Sequence, residues 1–161
     1  MQFDKVSGKN FIPVAMQLFD SLYYFCYMAN PKIKILLTPF DKAIESLCWL
    51  LIISIWILVF VNYPKLPDII PIHFDLSGNA DGFGAKENLF ALPIVITILA
   101  IGLSFLNKFP HIFNYMAAIT PGNAIRQYTL ATRFIRFLKL GTVIIFGMIV
   151  FGMIRSAGGN A

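Results

Sequence analysis

The side chains best equipped for chemistry crowd into one stretch. Tyr63 to Asn88 reads YPKLPDIIPIHFDLSGNADGFGAKEN, bringing together one histidine, four acids, two lysines and three glycines. His73 and Asp75 stand two apart, so a strand would set them on one face, an arrangement that suits a metal or a pH-sensitive pair. Asp75, Ser77, Asn79 and Asp81 alternate like the first ligands of a calcium loop, but Ala80 and Lys86 stand where that loop needs its glycine and its bidentate glutamate. The pattern therefore stops short of a calcium site, and no metal or cofactor is expected. His73, Asp75, Asp81 and Lys86 are instead the candidate contact residues for a ligand or partner.

Elsewhere the chemistry is sparse. His111 lies in FPHIFNY, where anchoring among aromatics at a membrane interface accounts for it. Cys26 and Cys48 both sit in apolar runs and read as packing residues, not as a disulfide framework. There is no G-x-S-x-G, no Walker A sequence, no H-E-x-x-H and no Cys-His pairing. The residues point away from an enzyme.

The elements that hold these side chains are membrane elements. Hydrophobic residues make up 58% of the 161 and charged residues 13%, against about 45–50% and about 25% in soluble domains, which excludes an ordinary water-soluble fold. Three charge-poor runs predict helices across the bilayer, at about 44–63, 88–107 and 138–155, and the spans themselves offer no charges of the kind that line ion pathways. Between the first two, Pro64, Pro67 and Pro71 forbid a helix, Ile72 to Asp75 has strand character, and Gly78, Gly82 and Gly84 supply three chances for a positive φ. A small β-like cap over residues 63–88 follows. The fold class is thus an all-α membrane protein, three transmembrane helices with an extracytoplasmic β-like cap.

Before the third run, Thr120 and Pro121 look like an N-cap and first helical residue, predicting a basic helix over 121–139 continuous with the span and a bend near Gly141. Arg126, Arg133 and Arg136 recur at seven and three residues, one stripe of that helix suited to anionic lipid headgroups. The net charge of +5 accordingly implies the lipid bilayer, not nucleic acid. Ten lysines and arginines fall before or between the spans on the N-terminal side, three on the other. By the positive-inside rule the N-terminus is cytoplasmic, and the cap and C-terminus are outside. Asp20 interrupts the apolar stretch from Phe11 to Met28, so residues 1–27 read as an extension forming an interfacial helix, and 156–161 as a flexible tail.

The run YPKLPDIIPIHFDLSGNADGFGAKENLFALP resembles the loop of a bacterial membrane domain of unknown function, written LP-x-x-IP-x-HF-x-x-x-G-x-x-DG-[WFY]-G-x-K. Pro67, Pro71, His73, Phe74, Gly78, Asp81, Gly82, Phe83, Gly84 and Lys86 occupy its positions, and the likeness extends over 28–155 through RQYTLATRFIRFLKL. The resemblance implies a multi-pass protein of the bacterial inner membrane, of a kind found alone or at the N-terminus of Sdp-type immunity and signalling proteins. Its implied partner is another membrane protein or larger complex. The expected function is non-enzymatic binding, as an accessory subunit or an immunity- or sensor-like module. The competing reading is an enzyme or transporter component with a site under the cap.

Overall fold

A computed structural model describes residues 30–158, so the interfacial helix expected over 1–27, Cys26 and residues 159–161 lie outside it. Three helices long and apolar enough to cross a membrane account for most of it. They are α1 (Pro39–Asn62), α2 (Ala91–Leu106) and α3 (Ala124–Gly158), and a two-stranded sheet, β1 (Ile69–Phe74) and β2 (Ala80–Ala85), stands between α1 and α2.

Thr38 starts α1 with a reciprocal cap: its hydroxyl accepts from the Asp41 N–H at 3.3 Å while the Asp41 carboxylate accepts from the Thr38 N–H at 2.9 Å. Pro39 follows at the first helical position, where no backbone donor is needed. In α2, Pro93 falls in the first turn and so removes no intrahelical bond; its carbonyl accepts from Thr97, whose hydroxyl accepts in turn from Trp56 on α1 at 3.1 Å. The five-residue 3₁₀ turn Lys86–Phe90 leads directly into α2, and the two together reach about 34 Å, close to the ~30 Å hydrocarbon thickness.

At 35 residues α3 is about 52 Å long and cannot lie wholly within a bilayer. It begins at Ala124 instead of Pro121, because residues 121–123 form a turn in which the Asn123 side chain accepts from the Thr120 N–H at 2.8 Å. The helix runs without a break through Gly141. Ser156 to Gly158, expected in a flexible tail, are its last residues, held there because Ala157 packs into the core.

That core gathers Ile52, Ile55 and Val59 of α1, Ile96 and Ala100 of α2, and Val143, Val150 and Met153 of α3. Outward faces carry Ile53, Phe60, Ile98, Phe105, Ile145 and Met148, as befits helices whose solvent is lipid. A second, smaller cluster of Ile119, Ala124 and Tyr128 packs with Ile33, Ile35 and Tyr115 at the other end of α3. The Tyr128 hydroxyl donates to the Pro31 carbonyl at 3.0 Å, tying the entry segment to α3, and the Tyr115 hydroxyl donates to the Pro110 carbonyl at 2.8 Å, closing the α2–α3 loop on itself. Burial pushes the Tyr115 phenol up to about 12, so it serves as a neutral donor.

Candidate functional site

The hairpin is built by close backbone approach. β1 and β2 pair antiparallel with irregular register at Pro71, His73 and Phe74, where the proline cannot extend the ladder. A Cβ on Gly82 would stand 2.8 Å from His73 Cβ, and one on Gly84 would stand 2.7 Å from the end of Ile72. Of the three glycines expected to need a positive φ, Gly78 alone has one, at +84°. Gly82 is required for room, not for φ, whereas at Gly84 the close atom is the movable end of the Ile72 side chain.

Ile70 is fully buried in the core with Leu66 and Ala157, fixing the base of the hairpin against the end of α3. Ile69 of β1, Phe83 of β2 and Leu76 of the turn between them are all exposed.

The four hairpin residues singled out from sequence do not converge. His73 Nδ1 meets Asp81 Oδ1 at 2.5 Å across the strands. Asp75 turns into its own loop and accepts from the N–H groups of Ser77 and Asn79, both at 2.8 Å, and from the Asn79 carboxamide at 3.1 Å. Those bonds, the Asn79 backbone first, hold its carboxyl below the usual carboxylate range. Lys86 Nζ reaches Asp68 at 2.8 Å and lies 5.6 Å from the centre of the Tyr63 ring. Asp75 and Asp81 thus serve different partners. Among the described residues no group of three or more His, Cys, Asp or Glu side chains gathers. A cavity of about 620 Å³ lies at the hairpin base, lined by Asn62, Lys65, Leu66, Pro67 and the end of α3, and none of the four residues lines it.

A second constellation was not legible in the sequence. In the first two turns of α1, Asp41 and Glu45 face Arg133, Arg136 and Lys139 of α3, more than ninety residues away. Arg133 Nε donates to Asp41 Oδ1 at 2.9 Å and its Nη2 to the Thr38 hydroxyl at 3.3 Å. Lys139 donates both to Glu45 and, at 2.9 Å, to Ser104 near the end of α2, whose hydroxyl donates to Glu45 at 2.9 Å. Lys139 is 1% exposed and lies 6.0 Å from the Trp49 ring centre. All three helices meet in this knot. The length of α3 beyond Lys139 suffices for a ~30 Å hydrocarbon core, which puts the charges at one boundary of the membrane segment.

This placement corrects two expectations. Arg126, Arg133 and Arg136 do not share one outward stripe, because α3 turns this part of its surface onto the acids of α1. Arg126 is exposed, Arg133 half-buried and Arg136 buried. Nor is the bundle free of inward charge, since residues that look like polar flanks of the apolar runs are folded between the helices. The available signal was the spacing: acids four apart on α1 and bases at three-residue steps on α3 each define one helix face. His111 stacks edge-on to Phe109 at 6.2 Å, and its carbonyl accepts from Asn30.

Residues 50–97 match a domain of unknown function, DUF1648, a segment that takes in the second half of α1, the whole hairpin and the start of α2. An uncharacterized protein of Archaeoglobus fulgidus is 30% identical over 99 residues, which cover 56% of this chain and 54% of that protein. The chain therefore matches only about half the length of this relative. No solved structure matches. The fold and the domain match together describe a multi-pass membrane protein carrying a domain of unknown function.

Proposed function

We propose that the protein is non-enzymatic and acts by contact, its hairpin engaging another membrane protein, as an accessory subunit or an immunity- or sensor-like module. In this reading it resides in a bacterial inner membrane with the N-terminus inside and the hairpin and C-terminus outside. The observation that carries the proposal is the hairpin itself. It is anchored at Ile70, pinned by three separate polar contacts, and yet presents Ile69, Leu76 and Phe83 uncovered. Apolar side chains held open on a small ordered unit favour recognition of a partner. His73, Asp81 and Lys86 at their rim would supply polar selectivity.

Photo-cross-linking from the hairpin tests this. A benzophenone side chain replacing Leu76 should yield one discrete protein adduct in intact membranes, whereas the same probe replacing Ile98, exposed on α2, should yield lipid adducts. His73→Ala and Lys86→Ala should diminish the Leu76 adduct without lowering the amount of folded protein. Lipid adducts alone at Leu76 would overturn the proposal. Variants that lose folded protein while keeping the adduct per folded molecule would reduce His73 and Lys86 to scaffold.

A further inference from the structure

Beside the charged knot lies a cavity of about 570 Å³, lined by Glu45, Ser104, Asn107 and Arg136 together with apolar groups that include Ile33 and Leu37. We propose that it binds an oxyanion, the phosphate group of a phosphate ester, on Arg136 and Asn107. This goes beyond the hairpin's role and does not depend on it.

The argument is one of unmet hydrogen bonds. The Arg136 side chain is 6% exposed, and its nearest carboxylate contacts are 3.7 Å to Asp41 and 3.9 Å to Glu45, both too long for a hydrogen bond. Those carboxylates are already engaged, Asp41 by Arg133 and Thr38, Glu45 by Lys139 and Ser104. A guanidinium carries five N–H donors. Among the described residues none of them finds an acceptor. Asn107, on the same cavity wall, has both its carboxamide nitrogen and oxygen buried without a partner among the described residues. Unpartnered buried polar groups are rare in native structures because each forfeits its hydration, so the Asn107 carboxamide, beside a buried guanidinium held only by long ion pairs on the same cavity wall, indicates a missing ligand.

Charge gives the sign of that ligand. The knot sets Arg133, Arg136 and Lys139 against Asp41 and Glu45, leaving one positive charge in excess. Lys34 and Lys108, both exposed, add two more at the cavity's edge. An anion with several acceptor oxygens matches a forked donor and an amide N–H, and phosphate presents such oxygens in the geometry a guanidinium prefers. The apolar walls suit the remainder of an ester. A phospholipid headgroup and a soluble phosphate monoester share this chemistry.

The test uses the full chain, purified in neutral detergent and stripped of lipid. In one arm, glycerol 3-phosphate is titrated by calorimetry; in the other, mixed micelles of phosphatidylglycerol and a neutral glycolipid are offered and retained lipid is read by native mass spectrometry. Saturable one-to-one binding is expected in at least one arm, weakened about tenfold or more by Arg136→Gln and by Asn107→Leu, and unchanged by Arg126→Gln. Asn107→Leu removes only unpartnered polar atoms, so it keeps the test decisive if Arg136→Gln fails to fold. Retention of phosphatidylglycerol alone identifies a lipid headgroup as the source, and binding of glycerol 3-phosphate identifies a soluble ester. No binding in either arm, or binding indifferent to Asn107→Leu, overturns the proposal.

Discussion

Asp75 and Lys139 illustrate how differently two charged residues of one chain can work. Asp75 is solvent-exposed and acts as a local clasp, its carboxylate holding the N–H groups of Ser77 and Asn79 in the turn. Because its pKa is lowered in the folded state, its contribution is present above the ordinary carboxylate value and is lost as pH falls through the folded value. Hydrogen exchange at the Asn79 amide should therefore stay protected from neutral pH down past the usual carboxylate range, and Asp75→Ala should abolish that protection at every pH. Lys139 is the opposite case, a buried cation whose partners come from two other helices. Lys139→Met strands the Glu45 carboxylate and should cost about 3 kcal/mol in detergent unfolding, whereas the double variant with Glu45→Gln should recover most of it. A loss in the double variant equal to the sum of the Lys139→Met and Glu45→Gln losses would mean that the pair is not coupled.

At the level of elements, the hairpin and α2 use glycine for unlike reasons. In the hairpin, Gly82 keeps His73 within reach of Asp81, and Gly82→Val should lower stability by about 1–3 kcal/mol and speed proteolysis near Asn79. In α2, Gly102 has nothing within 4 Å of an added Cβ, so Gly102→Ala should be neutral or stabilise the helix by up to ~1 kcal/mol. Thermal unfolding of the two variants in one detergent separates the cases. The hairpin's existence was legible, since prolines break the helix and three glycines follow within a few residues. Why Gly82 is there was not, because a cross-strand distance is a property of the pairing and has no trace in local sequence.

Across the whole molecule, the ten-to-three distribution of lysine and arginine predicts which way the bundle faces. In a chain carrying Cys26→Ser and Cys48→Ala, Asn79→Cys should react with an impermeant maleimide added outside intact cells, and labelling only after the cytoplasmic side is opened would invert the topology. The first two spans follow from sequence alone, because about twenty uncharged apolar residues in a row satisfy a bilayer whatever their neighbours do, and the third, a shorter apolar run between Lys139 and Arg155, crosses once its flanks are added. The hairpin's chemistry was half legible: its residues are contiguous, but their sorting into His73 with Asp81, Asp75 with Asn79 and Lys86 with Asp68 depends on register. The inner knot left only the spacing of its residues along each helix as a sign. Read along the chain, Asp41 and Glu45 cap one helix while Arg133, Arg136 and Lys139 decorate another, and each set looks like an ordinary solvated flank. Only the docking of α1 against α3, driven by apolar faces elsewhere on the same helices, turns them toward each other, takes them out of water and leaves Arg136 and Asn107 with hydrogen bonds to fill.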